Sequence, residues 1–320
     1  MCSGFLINSE KDNNKNDNLN CRLQIAENNI KYRKGKIMIT LAVQKKGRLS
    51  EKTMKLLEDS GINIQNGKAK LQAKASNFPL QVLYLRDDDI PEVVADGIAD
   101  IGIVGENVFL EKERKVKIIK RLGFSRCRMS IGVPKDFSYN NIQSLEGKSI
   151  ATSYPNILRN YLAKENVKAD VHEISGSVEI APGIGLADAV FDIVSTGSTL
   201  ISNGLREVDA IIQSEAVIIA NDNIEPKQQE IIDEIIFRIR ALRRAKKRKY
   251  IMMNAPNDAI KEIVEILPGI KSPTIVPLSI EGWSSVQSVI EESEFWERIQ
   301  RLKQAGAEGI IVVPLEKMID

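Results

Sequence analysis

From residue 37 onward, short apolar runs alternate with stretches of helical period. Residues 37–44 read as a strand, Lys45-Lys46-Gly47-Arg48 as a loop, and the segment from Ser50 as a helix ending at Gly61. Further strands are predicted at 80–86, 100–104, 116–124 and 127–133. The alternation resumes near 134 with strand 149–153, helix 155–166, strand 170–174, a turn-and-helix segment to 189, and strand 190–194. Strands alternating with helices predict an α/β fold whose sheets are largely parallel. Leu205 to Ala220 reads as one long extended stretch. With a return to the first sheet near 213, the chain forms two lobes, 38–128 plus 213–224 and 129–212, in the manner of periplasmic binding proteins. A cleft between such lobes is a common place for a ligand.

The last hundred residues differ in kind. Ile231, Ile232, Ile235, Ile236, Ile239 and Leu242 recur at three- and four-residue spacing, which predicts one amphipathic connecting helix over 225–248. Strand 249–255, helix 257–267, strands 272–278 and 286–290, helix 294–305 and strand 309–315 follow. That β-α-β-β-α-β order predicts a ferredoxin-like, ACT-like domain over 249–320. Residues 1–37 carry eight asparagines and no apolar period, and are expected to be a disordered extension.

Composition narrows the chemistry. The 320 residues hold 45 Lys+Arg against 43 Asp+Glu, a balance that does not mark a nucleic-acid binder. Residues 1–37 hold seven basic and four acidic side chains, so the net excess of positive charge belongs to the extension. Cys2, Cys21 and Cys127 lie at no metal-ligand spacing, and His172 is the single histidine, so no His-rich metal site can form. The longest apolar runs are far too short for a membrane helix, and Phe5-Leu6-Ile7 lacks the flanks of a secretory signal; a cytoplasmic protein is expected. His172 sits in an alternating strand and reads as half-exposed. The basic run from Arg238 to Lys249 reads as the solvated, dipole-complementing end of the connecting helix.

The most specific segment is 179–200, EIAPGIGLADAVFDIVSTGSTL. A strand carrying Asp192 runs into Ser195-Thr196-Gly197-Ser198-Thr199, where hydroxyls and free backbone amides suit a phosphate. Asp188 and Asp192 nearby suggest a ligand that also offers hydroxyl donors, such as a ribose. An ordinary helix cap is the competing reading. Asp87-Asp88-Asp89 suggests a metal cluster, but three consecutive carboxylates cannot face one point, and Pro91 makes a turn into a helix at least as good a reading.

Glu179, Gly185, Ala187, Val190, Asp192, Thr196, Gly197, Thr199 and Leu200 give this segment a close resemblance to the signature of the ATP phosphoribosyltransferases. The resemblance extends to VQKKGRLS (43–50), LRDDDIPEVVADGIADIGIVGENV (85–108), GKSIATSYPNIL (147–158), NGLREV (203–208), KYIMMNAP (249–256), LPGIKSPTIVPL (267–278) and PLEKM (314–318). It matches the long form, which carries its own regulatory domain, and Met38 opens the similar region.

The resemblance implies the first step of histidine biosynthesis, in which N1 of the adenine of ATP displaces pyrophosphate from C1 of phosphoribosyl pyrophosphate. That nitrogen carries no proton to remove, so the absence of a His or Cys nucleophile or base is no obstacle. It also implies roles. Ser195, Thr196, Gly197, Ser198 and Thr199 hold the 5-phosphate, and Glu179, Asp188 and Asp192 serve the ribose side. Lys45, Arg48 and Arg86 meet pyrophosphate or triphosphate, and Glu106 and Tyr154 border the nucleotide. Mg2+ is expected on the substrate phosphates, with protein ligands unknown. Asn254, Ile270, Thr274 and Gly309 are expected to bind histidine as a feedback inhibitor, in a homo-oligomer built from dimers into a hexamer. A two-lobed binding or sensor protein without catalysis is the alternative.

Overall fold

The structure is a computed structural model describing residues 37–65, 71–267, 269 and 272–319; the expected extension, up to residue 36, lies outside the described residues. In chain order the elements are β1 (Ile39–Gln44), α1 (Arg48–Asp59), β2 (Gln72–Lys74), β3 (Leu80–Leu85), α2 (Ile90–Ala95), β4 (Ile101–Gly105), α3 (Glu106–Lys112) and β5 (Lys117–Arg121). Then come β6 (Cys127–Pro134), β7 (Ser149–Thr152), α4 (Pro155–Glu165), β8 (Asp170–Glu173), β9 (Ala189–Val194), α5 (Ser198–Ser202), β10 (Leu205–Ser214) and β11 (Ala216–Ala220). The remainder is α6 (Pro226–Lys246), β12 (Arg248–Pro256), α7 (Ile260–Ile266), β13 (Thr274–Pro277), β14 (Trp283–Glu291), α8 (Phe295–Gln304) and β15 (Glu308–Pro314). The chain divides into two units, one ending at Ile232 and one beginning at Asp233.

The first unit holds two sheets, ordered β2-β3-β1-β4-β11-β5 and β10-β6-β9-β7-β8. β1 lies parallel between β3 and β4, and five of its six positions are buried, four of them apolar, because both of its faces are covered. Buried Asp100 fixes the far edge of this sheet: Oδ2 accepts from Thr40 N at 2.7 Å and Oδ1 from Gln228 Nε2 at 2.8 Å. In the second sheet β7 lies parallel between β8 and β9, the same local order. Each sheet therefore reverses its strand order beside the first of its parallel strands, and the carboxyl ends of the strands there are where α/β proteins bind ligands.

Three expectations change. Residues 205–220 are not one strand: β10 pairs with β6, whereas β11 enters the other sheet between β4 and β5. The break falls at Glu215, whose carbonyl accepts from Glu106 N at 2.9 Å. The segment before β9 forms only two 3-10 turns, Val178–Ile180 and Pro182–Ile184, because Pro182 lacks a donor and Gly185 adopts φ +74°. The first helix also starts earlier than expected, at Arg48, behind Gly47 at φ +104°.

In the second unit, four antiparallel strands run β13-β14-β12-β15. That is the expected ferredoxin-like order, with the core formed by Ile251, Met253, Val286, Ile263, Ile266 and Leu302 under α7 and α8. The basic run resolves into ion pairs such as Arg238–Glu234, Arg248–Glu291 and Lys249–Glu292. No described helix is long and apolar enough to cross a membrane.

Candidate active site

Parallel strands end on one edge, and that edge collects the predicted groups. On the first sheet β1 ends at Gln44 opposite Leu85 of β3, so Lys45 and Arg86 leave neighbouring strands side by side; both are exposed, as is Arg48 at the start of α1. Asp87–Asp89 form a 3-10 turn running into α2 with Pro91 in its first turn, as the proline predicted, and Asp88 lies 3.5 Å from Lys112 Nζ. Asp87 is pushed up by burial and then by Asp88. Glu106, just past β4, is ion-paired to Arg121.

On the second sheet, Tyr154 follows β7 and the Ser195–Thr199 loop follows β9. Gly197 takes φ +82°, which turns the chain into α5. Thr196 Oγ1 and Ser198 Oγ lie 3.0 Å apart, and the four hydroxyl residues of the loop are exposed. Beneath the loop, Arg128 Nη1 donates to Ser195 O at 3.1 Å, and Arg128 is itself held by Glu207, whose carboxyl the guanidinium keeps below its ordinary range. Half-buried Asp192 is pushed up by desolvation and further by the charge of Glu179.

Asp188 departs from expectation. It precedes β9, at the opposite end of that strand from the loop, where its Oδ2 accepts from Ser149 N at 2.8 Å and Ser149 Oγ at 2.9 Å. Those bonds hold its carboxyl below the ordinary range and tie β9 to the start of β7. It is a strand-pairing residue, not a neighbour of the phosphate loop.

The two edges meet through Tyr154. Its hydroxyl accepts from Asn107 Nδ2 at 3.2 Å, and burial followed by the charge of Asp192 raises its pKa, with smaller contributions from Asp87 and Asp88. One phenol thus senses carboxylates of both sheets. Asn107 is buried and bonded to Ser214 Oγ through both its backbone N–H and its Oδ1. Asn107 was expected at the cleft as part of the Gly105-Glu106-Asn107 turn that the resemblance implies; Glu111, Arg128 and Glu207 were not singled out from sequence.

Among the described residues no three His, Cys, Asp or Glu side chains converge as a metal cage. His172 lies on β8, as its pattern predicted, but is exposed rather than half-exposed.

In the second unit Asn254 and Thr274 are exposed on β12 and β13. Through the pairings Asn254↔Ser285 and Thr274↔Gln287 they share the sheet face opposite Ile251, Met253 and Ala255. Gly309, at φ +58°, lies against Asn254 Nδ2. Ile270 lies outside the described residues.

Fold and site together define a two-lobed α/β chain with an exposed hydroxyl-rich loop at the carboxyl edge of one sheet and exposed basic residues at that of the other, followed by a ferredoxin-like domain. Comparison with known proteins makes this specific. A family model described as ATP phosphoribosyltransferase (HisG) matches residues 86–241, and one for the HisG C-terminal domain matches 245–317. ATP phosphoribosyltransferases of Parabacteroides distasonis and Bacteroides thetaiotaomicron are 58% and 57% identical over 282 residues, 88% of this chain and 100% of each relative. A solved chain from the ATP phosphoribosyl transferase (HisG:HisZ) complex of Thermotoga maritima aligns with TM-score 0.55 at 28% identity, covering 63% of this chain and 99% of that one. The chain belongs to the ATP phosphoribosyltransferase family, in its long form with the C-terminal domain. It is a pentosyltransferase of histidine biosynthesis.

Proposed function

We propose that phosphoribosyl pyrophosphate lies on the second sheet, with its 5-phosphate on Ser195, Thr196, Gly197, Ser198 and Thr199 and its ribose hydroxyls on Asp192 and Glu179. Lys45, Arg48 and Arg86 take the pyrophosphate or the ATP triphosphate from the first sheet, and Tyr154 and Glu106 border the nucleotide. The observation that carries this reading is the opposition of two carboxyl strand edges bridged by Tyr154 and Asn107, one hydroxyl-rich and one cationic. The chemistry asks for little else. The transition state has oxocarbenium character, so Asp192 and Glu179 supply negative charge near the ribose while cations meet the departing pyrophosphate. Mg2+, held mainly by the substrate phosphates, supplies further charge neutralisation.

Steady-state kinetics test the loop. Thr196→Ala and Thr199→Ala should raise KM for phosphoribosyl pyrophosphate about tenfold, in line with loss of one charge-assisted hydrogen bond, and raise that for ATP much less. Equal effects on both substrates would count against the assignment.

The second unit is read as the histidine sensor, with Asn254, Ile270, Thr274 and Gly309 as effector residues, in a homo-oligomer of dimers that assemble into a hexamer. The Thermotoga chain is named as part of a two-protein complex and is shorter than this one, which supports regulation by an attached domain here. A cytoplasmic location fits a pathway supplied with ATP.

A further inference from the structure

The backbone joins the two sheets of the first unit only by the crossovers at 122–126 and Glu215. A polar contact adds a third connection. Glu111, in the last turn of α3, is buried at 6% exposure. Its Oε1 accepts from Asn156 N and its Oε2 from Ile157 N, each at 3.0 Å, while Asn156 Nδ2 donates to Glu111 O at 3.0 Å. Asn156 and Ile157 open α4, whose first-turn amides have no partner within the helix. A carboxylate from one lobe therefore caps the first helix of the other with both oxygens. One turn earlier, Asn107 of the same helix reaches Tyr154, the residue just before α4.

A polar clasp is a costly way to pack two helices. Burial pushes the Glu111 carboxyl above its ordinary range, even though both amides and Lys112 favour its charge. Apolar packing contributes beside it, since Leu110 packs against the core cluster that includes Ile157 and Leu158, but Leu110, Ile157, Tyr161, Ile211 and Ile212 also line part of an open pocket of about 540 Å3. The register of α3 against α4 thus rests on directional bonds as well as on this apolar contact.

We propose that Glu111 is a positioning residue for phosphoribosyl transfer, setting the spacing of the two lobes and so the approach of one substrate to the other. It touches no reacting atom and acts through α4 and Tyr154. The proposal rests on the reading that the two substrates are divided between the lobes. Each substrate then binds on its own edge, and what the clasp controls is their alignment, so its loss falls on kcat. Misalignment by about 1 Å lowers rates on the order of a hundredfold.

Glu111→Ala and Glu111→Gln in the full chain, compared with wild type by kinetics and amide hydrogen exchange, form the test. In the alanine variant the Asn156 and Ile157 amides should exchange at least about tenfold faster, and kcat per titrated active site should fall about 10- to 100-fold, with either KM changing less than about threefold. The glutamine variant keeps one acceptor oxygen and should fall between. A purely structural role would lower Tm and the titrated fraction while leaving kcat per site unchanged. Wild-type kcat per site alongside faster exchange, in either variant, overturns the proposal. If the alanine variant does not fold, the glutamine variant decides by the same criterion. Failure of the loop assignment would appear separately, in the Thr196 and Thr199 variants with Glu111 intact.

Discussion

Asp192 carries a conflict between stability and use. Desolvation and the charge of Glu179 push its carboxyl above the ordinary range, so the folded chain binds that proton more tightly than the unfolded chain. Its ionisation therefore subtracts from stability; the penalty is absent at low pH, grows as pH rises through the folded-state pKa, and is full at neutral pH. Asp192→Asn should accordingly melt slightly higher than wild type at pH 7, with the difference shrinking toward about pH 4, where aspartates protonate. The same variant should lose at least about a hundredfold in kcat/KM for phosphoribosyl pyrophosphate, since the amide supplies no charge to the ribose. Thermal melts across pH together with kinetics check both halves, and a variant that is both less stable and fully active would refute the reading. Asp188 shows why sequence proximity misled. It lies four residues before Asp192, on the same side of an alternating strand, yet four residues of strand span about 13 Å. The two carboxylates consequently serve opposite edges of the sheet, one accepting bonds that lower its pKa and the other raised by burial and further by the charge of Glu179.

Elements were largely legible because parallel strands buried on both faces read as apolar runs, and amphipathic helices as a period of three to four. The return to the first sheet was expected near 213, but the break at Glu215 was not placed: SEAVII carries no glycine or proline, and only the pairing of Ser214 with Cys127 and of Ala216 with Gly105 divides it. The Glu111 clasp was equally hidden, since ENVFLEK reads as a helix whose last acid faces solvent until the fold delivers the amides of α4 to it. The loop's seat is another tertiary matter. Gly132 of β6 lies opposite Val190 of β9, and a Cβ there would fall 2.9 Å from Val190 Cγ2 and 3.2 Å from Leu200 Cδ2. Leu200 is the buried residue of α5, so Gly132→Ala pushes on the strand before the phosphate loop and the helix after it. Overpacking of this kind should cost about 1–3 kcal/mol in urea unfolding and raise KM for phosphoribosyl pyrophosphate more than that for ATP. A variant with wild-type stability would show that the seat yields without strain.

For the whole molecule, the question is how a domain without reacting groups could govern a cleft formed within another unit. Histidine can change activity only by binding one global state better than another, and the coupling is reciprocal: whatever factor histidine imposes on substrate affinity, substrate imposes on histidine affinity. Asn254 and Thr274 share the sheet face not covered by α7 and α8, and Gly309 leaves room beside the Asn254 amide, so a small polar ligand there meets donors and acceptors rather than core. Asn254→Ala and Thr274→Ala in the intact chain should therefore raise the inhibitory concentration of histidine about tenfold or more, the effect of losing one or two hydrogen bonds, while the uninhibited kcat stays at its wild-type value. Titration calorimetry on the wild type supplies the stricter test: saturating substrate should weaken histidine binding by the same factor by which histidine weakens substrate binding. Unequal factors at equilibrium would mean that histidine occupies a second site, and unchanged inhibition in both variants would move the sensor away from this face.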